Sequence, residues 1–223
     1  MAKSFLVCDA RNFFEDDFFV PIQQTLLEDE GASEVSLKLN HANFHLGFDQ
    51  YLCQHDYIHN KSGRVFNKHF NYYFEPLKFY TYHHKELNLA FIQTKAEAAV
   101  DFMNKINSTK HYNLSQVQMD FKNMIPLVTE VAGAWIADLK RAHLKTAGFF
   151  GPNVHKSEEY IEAAAEGNVS SIQMKFISER SCEEYTITIS KKGSVVLYDT
   201  LPTVEDEIGL VFEVYNRLIK PHL

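Results

Sequence analysis

Seven of the chain's 11 histidines fall between residues 41 and 84: His41, His45, His55, His59, His69, His83 and His84. Imidazole is the commonest transition-metal ligand, and His41/His45 and His55/His59 are both His-x-x-x-His pairs. On a helix, each pair would present two ring nitrogens on one face. That donor set suits zinc, nickel or iron, with Asp49 or Asp56 as a carboxylate ligand. A metal-dependent hydrolase or nuclease using His41, His45, His55 and His59, with zinc or another divalent transition metal as cofactor, is therefore one expectation. The context opposes it. Val35 to Leu39 alternates into His41 as a strand, and on a strand an i, i+4 pair lies roughly 13 Å apart.

A second feature overlaps the first. Between Tyr57 and Tyr82 stand nine aromatic residues, with Lys61, Arg64, Lys68 and Lys78 interleaved. Single-strand nucleic-acid binders combine these ingredients, aromatic faces stacking on bases and cations following the phosphates. On a sheet, one set of rings must fill the core, and Phe70, Phe74 and Phe79 are the expected core set. Tyr72 or Tyr73, and Tyr80 or Tyr82, are then free to face outward. Lys61, Arg64, Lys68, Tyr72, Lys78, Tyr80 and Tyr82 form the candidate surface for nucleic acid or a protein partner, since aromatic residues and Arg are enriched at protein interfaces too.

Other catalytic signatures are weak. The Gly148/Gly151 pair is no phosphate-cradling loop, and neither a Gly-x-Ser-x-Gly elbow nor His-Glu-x-x-His occurs. Asp120-Phe121-Lys122 and Asp138-Leu139-Lys140 have the acid-x-Lys spacing of some nuclease cores, whereas Gln173-Met174-Lys175 has Gln in place of the acid. A nucleophilic Cys–His pair would need Cys53 with His55, or Cys8 with any histidine. The three cysteines contain no Cys-x-x-Cys pair, which argues for reduced thiols in a cytoplasm. The apolar stretch Ser4–Cys8 is too short for a signal peptide, and no run approaches the roughly 18 apolar residues of a membrane helix. A soluble cytoplasmic protein with no membrane contact is expected.

The 223 residues carry a net charge of -7, against a polyanion binder working by global charge alone. That charge is unevenly laid out. Residues 1–60 hold 3 basic and 10 acidic groups, residues 61–145 hold 12 and 7, and residues 146–223 hold 7 and 12. Either the basic middle packs on the acidic flanks or it faces a polyanion.

The elements that must position these groups read as follows. Helices are expected over Pro21–Glu30, after a Thr94/Glu97 capping box, from about Lys122 to Ala142, from Ser157 to a left-handed stop at Gly167, and from Thr203 to about Lys220. Strand patterns cover Phe70–Phe74, Leu87–Phe91 with Pro76 as a break before them, and Ile172–Ile177. A hairpin joins Tyr185–Ile189 to Ser194–Tyr198 through Gly193. The expected class is α+β: mixed or mainly antiparallel sheet with four or five amphipathic helices packed on it. Two lobes are expected, residues 1–108 and 109–223, with a single compact domain also allowed. The function expected first is that of a non-enzymatic cytoplasmic protein-binding subunit or regulator of a larger assembly. The alternatives are the metal-dependent hydrolase or nuclease above and single-stranded nucleic-acid binding through residues 57–85.

Overall fold

The computed structural model describes residues 2–20 and 34–223, without the side chains of 19 and 20. The expected Pro21–Glu30 helix, with its Glu28-Asp29-Glu30 cluster, lies outside the described residues. The chain divides into an N-terminal unit, Cys8–Ser115, and a C-terminal unit, Gln116–Leu223 with Met1–Val7.

The N-terminal unit holds the second half of β1 (Lys3–Asn12), then β2 (Phe18–Val20), β3 (Val35–His45), β4 (Phe48–His59), β5 (Gly63–Val65), β6 (Lys68–Phe70), β7 (Tyr73–His84), β8 (Leu89–Gln93), α1 (Ala96–Asn107) and β9 (Asn113–Gln116). Its sheet runs β1-β8-β7-β4-β3-β2, while β5 and β6 pair only with each other, as a hairpin extruded between β4 and β7. Strand β4 pairs antiparallel with β7 along its whole length, from Asp49 opposite His83 to His59 opposite Tyr73.

One face of this sheet is the core. Tyr51, Cys53 and His55 of β4 alternate with Phe79 and Thr81 of β7, all buried. Helix α1 covers them: Phe102 meets Phe79 edge-on at 5.0 Å, and Ala99, Met103 and Ile106 share its buried face. The periodicity of α1 is as expected, but its cap is not. Lys95 occupies the N-cap without a side-chain bond, so no Thr94/Glu97 box forms.

The C-terminal unit holds α2 (Phe121–Met124), β10 (Glu130–Ala137), β11 (Ala147–Phe150), α3 (Glu158–Glu166), β12 (Asn168–Ile177), β13 (Glu184–Ser190), β14 (Ser194–Leu197) and α4 (Val204–Val214), with the first half of β1 pairing β14. Its sheet runs β1-β14-β13-β12-β10-β11. The β13–β14 hairpin turns at Gly193, φ 87°, as its sequence implies. Ser157 caps α3, and Thr203 with Asp206 forms a capping box on α4. Gly167 ends α3 in extended rather than left-handed backbone.

Three further expectations are overturned. The class is mostly antiparallel sheet with four short α-helices among the described residues, not a helix-rich α+β fold. The long helix over Lys122–Ala142 is instead α2, a 3-10 turn and strand β10. A register shift between Val131 and Gly133 breaks the alternation of β10, and Gly133 and Ala134 are buried in succession between Val131 and Ile136, so the strand shows no clean period of two. Pro76 does not break β7. Beside it only β4 pairs, because β8 ends at Gln93 opposite Tyr80, so the missing N–H faces an open strand edge. No helix among the described residues is long and apolar enough to cross a membrane.

Candidate functional site

The four histidines proposed as metal ligands lie on strands, and the structure does not bring them together. His41 is exposed on β3, its Nδ1 3.0 Å from the Ala42 carbonyl, and His45 lies half-buried at the other end of that segment. His55 is fully buried on β4, where its Nε2 donates to Asp101 Oδ2 at 2.9 Å. Burial holds this imidazole below its ordinary pKa, and Asp101 opposes that shift without cancelling it. His59 Nε2 lies 2.7 Å from Glu75, which lowers the pKa of that carboxyl. Of the two carboxylates considered as ligands, Asp56 accepts from the Glu34 N–H and Asp49 from the Asn43 N–H. Among the described residues no three His, Cys, Asp or Glu side chains converge as a metal ion requires.

The other catalytic candidates are engaged structurally. Cys53, one position from His55 on the core face, is buried, with its thiol pushed up to about 12 and set against the Thr81 hydroxyl. Burial likewise raises Cys8. Neither supplies a thiolate near neutral pH. Asp120 caps α2, Asp138 accepts from Asn168, and Lys175 bonds Thr186 beside Glu184.

The aromatic and basic candidates resolve differently. Side chains alternate along a strand, so Phe74, Pro76, Lys78 and Tyr80 of β7 share the face opposite the core with Leu52, Gln54, Asp56 and Ile58 of β4, Asp56 being bonded to the Glu34 N–H. Tyr72, just before β7, packs edge-on against Phe74 at 5.7 Å and extends this row. A cross-strand line of Lys38, Leu52, Tyr80 and Gln93 crosses β3, β4, β7 and β8. Leu52, Ile58, Tyr72 and Lys78 are exposed there. Tyr72, Lys78 and Tyr80 thus belong to one open face spanning roughly 26 Å of strand. Tyr82 does not. It is 0% exposed, its hydroxyl is 3.0 Å from Gln93 Oε1 and its ring lies against Phe44. The face closes over at that end, and Tyr82 is a core residue.

At the opposite end β4 and β7 continue into the β5–β6 hairpin, which carries Lys61, Arg64 and Lys68. Its base is an aromatic ladder. The His59 ring stacks on Tyr73 at 4.8 Å and meets Tyr57 edge-on, and Phe70 meets Tyr73 edge-on. Gly63 lets the Phe70 ring lie directly over its backbone, in space a Cβ would otherwise occupy. The turn is the two residues Phe66-Asn67, between the paired Val65 and Lys68, with φ of 45° and 65°. Two successive left-handed residues mark the tight turn that suits a twisted hairpin, which normally selects Asn and Gly. Asn67 fits this rule and is held by the Arg64 guanidinium. Phe66 violates it and is 97% exposed.

Sequence reasoning counted Phe66 among the nine aromatics but did not single it out. The available signal was Phe-Asn at the centre of a short run from Gly63 to Phe70. Comparison with protein-family models and with curated proteins finds no match for this chain.

Proposed function

We propose that this protein is a binding module rather than an enzyme, and that its working surface is the β5–β6 hairpin with the adjoining open face of β4 and β7. The ligand is a polyanionic macromolecule. One observation carries this reading. Residues 57–74 contain three Lys or Arg side chains and no carboxylate, and among the described residues none of those cations forms an ion pair. Acids on the flanking elements are engaged elsewhere: Glu75 by His59, Asp101 by His55 and Asp56 by the Glu34 N–H. Unpaired cations on a projecting element give an outward positive field, even on a chain whose net charge is -7. This reading shares with the role expected first from the sequence, a protein-binding subunit or regulator of a larger assembly, the idea of a binding protein, and differs from it in the ligand.

The test is heparin, used as a generic polyanion. The full chain should bind it at about 50 mM salt and lose affinity steeply as salt rises. The K61S/R64S/K68S variant should bind far more weakly with unchanged melting temperature. Absence of binding by the unmodified chain at low salt would reject the reading.

A further inference from the structure

Phe66 is the residue least explained by folding. It buries nothing at 97% exposure, so it returns no hydrophobic stabilisation. A bulky side chain at φ 45° is also disfavoured by roughly 1–2 kcal/mol relative to right-handed backbone. Asn, Asp or Gly would remove most of that penalty, and Asn already stands next to it at position 67. Strain held at an exposed tip, with no packing gain, points toward a ligand.

The chemistry around the tip selects which ligand. Arg64 and His69 face each other across one side of the hairpin, and Val65 and Lys68 across the other. Cations therefore stand on both sides of a projecting aromatic ring, with Lys61 at the entry to β5. An unpaired nucleotide strand presents this pattern in complement: a flat base to stack on and a phosphate to either side. Duplex nucleic acid keeps its bases stacked inside and offers the ring no free face. An acidic protein segment matches the cations but supplies no planar partner for Phe66.

Resting on the polyanion reading above, we infer that the hairpin binds single-stranded nucleic acid. Phe66 stacks on an unpaired base, Lys61, Arg64 and Lys68 meet the neighbouring phosphates, and the strand continues over Tyr72, Lys78 and Tyr80 on the open face. Those three side chains share one side of β7 and its entry, so the track is continuous in register with the hairpin base.

The experiment uses the full chain, fluorescein-labelled oligo-dT of about 20 nucleotides, the corresponding duplex, heparin and poly-glutamate. Oligo-dT should bind more tightly than duplex. Phe66→Ala should lower oligo-dT affinity roughly tenfold to a hundredfold at fixed salt, leaving heparin affinity and the salt slope unchanged. Phe66→Trp should retain affinity and show indole quenching on binding. The K61S/R64S/K68S variant should instead reduce the slope of log K against log salt by about 2. Heparin binding with no effect of Phe66→Ala on oligo-dT would overturn this inference and leave the polyanion reading standing. Phe66-dependent binding of poly-glutamate in preference to oligo-dT would overturn it in favour of an acidic protein partner. Failure of the unmodified chain to bind either heparin or oligo-dT would overturn both.

Discussion

The two units repeat one plan. In each, four antiparallel neighbours precede a helix: β3-β4-β7-β8 then α1, and β10-β12-β13-β14 then α4. They differ also at an equivalent connection, β4 to β7 in one and β12 to β13 in the other. The β12–β13 connection is a short turn whose polar groups are bound internally. Glu213 of α4 accepts from the Ser178 hydroxyl at 2.7 Å, from the Glu179 N–H and from Arg217, while Arg217 also donates to the Ile177 carbonyl and lies over the Phe176 ring. The β4–β7 connection is an extruded hairpin whose cations form no ion pair among the described residues, Arg64 bonding Asn67 of its own turn, and whose tip ring is exposed. Similar scaffolds thus carry one connection closed by its own hydrogen bonds and one whose tip is open to solvent. The binding role we propose rests on that difference.

The largest test of this contrast is Glu213→Ala. Burial pushes this carboxyl up, but the hydrogen bonds it accepts more than offset that, leaving it below the usual range. Its removal takes the acceptor from the Ser178 hydroxyl and the Glu179 N–H and one of several acceptors from Arg217, and should cost about 3 kcal/mol in urea unfolding, with oligo-dT affinity unchanged. A loss of binding equal to that of a hairpin variant would erase the distinction between the two connections.

Acid should separate the units next. His83 is buried against Phe13, the rings stacked at 4.0 Å, and burial takes its pKa down to about 4. The unfolded chain binds a proton near pH 6.5, where the folded unit does not. Stability is therefore complete above about 6.5 and falls as pH drops toward 4, by about 2 kcal/mol at pH 5. The Glu213 carboxyl is also depressed, so the stability it contributes is held above its unfolded value and lost only at lower pH. Hydrogen exchange at pH 7.5 and 5 should therefore show loss of protection in the N-terminal unit first. His83→Phe, which keeps the ring stack, should reduce that loss, leaving the part due to His55, which burial also holds below its ordinary pKa. An unaltered pH profile in that variant would exclude His83 as its source.

What the sequence made readable were the elements whose patterns are local. Strand β12, the β13–β14 hairpin, the Ser157 and Thr203 caps and the buried face of α1 follow from spacing and turn chemistry alone. Strand β10 was misread because a bulge changes the period, which depends on its partner β12. The histidine pairs looked like ligand sets only under a helical spacing that β3 and β4 do not have. Tyr72, Lys78 and Tyr80 were placed on one surface by residue type, yet Tyr82, two residues on, is buried by Phe44 and bonded to Gln93, neighbours that only the pairing register reveals. Phe66 was obscured for the same reason. Whether an aromatic in a run of nine faces the core or water depends on which residues turn, and the turn appears once Val65 is known to pair with Lys68.

The central claim is that Phe66 is kept for binding against the preference of the fold. Phe66→Asn tests it with two readings on one variant. Asn tolerates left-handed backbone, so the account predicts a gain in unfolding free energy of about 0.5–1 kcal/mol together with at least a tenfold loss of oligo-dT affinity. A variant that binds oligo-dT as well as the unmodified chain, or that loses stability, would contradict it.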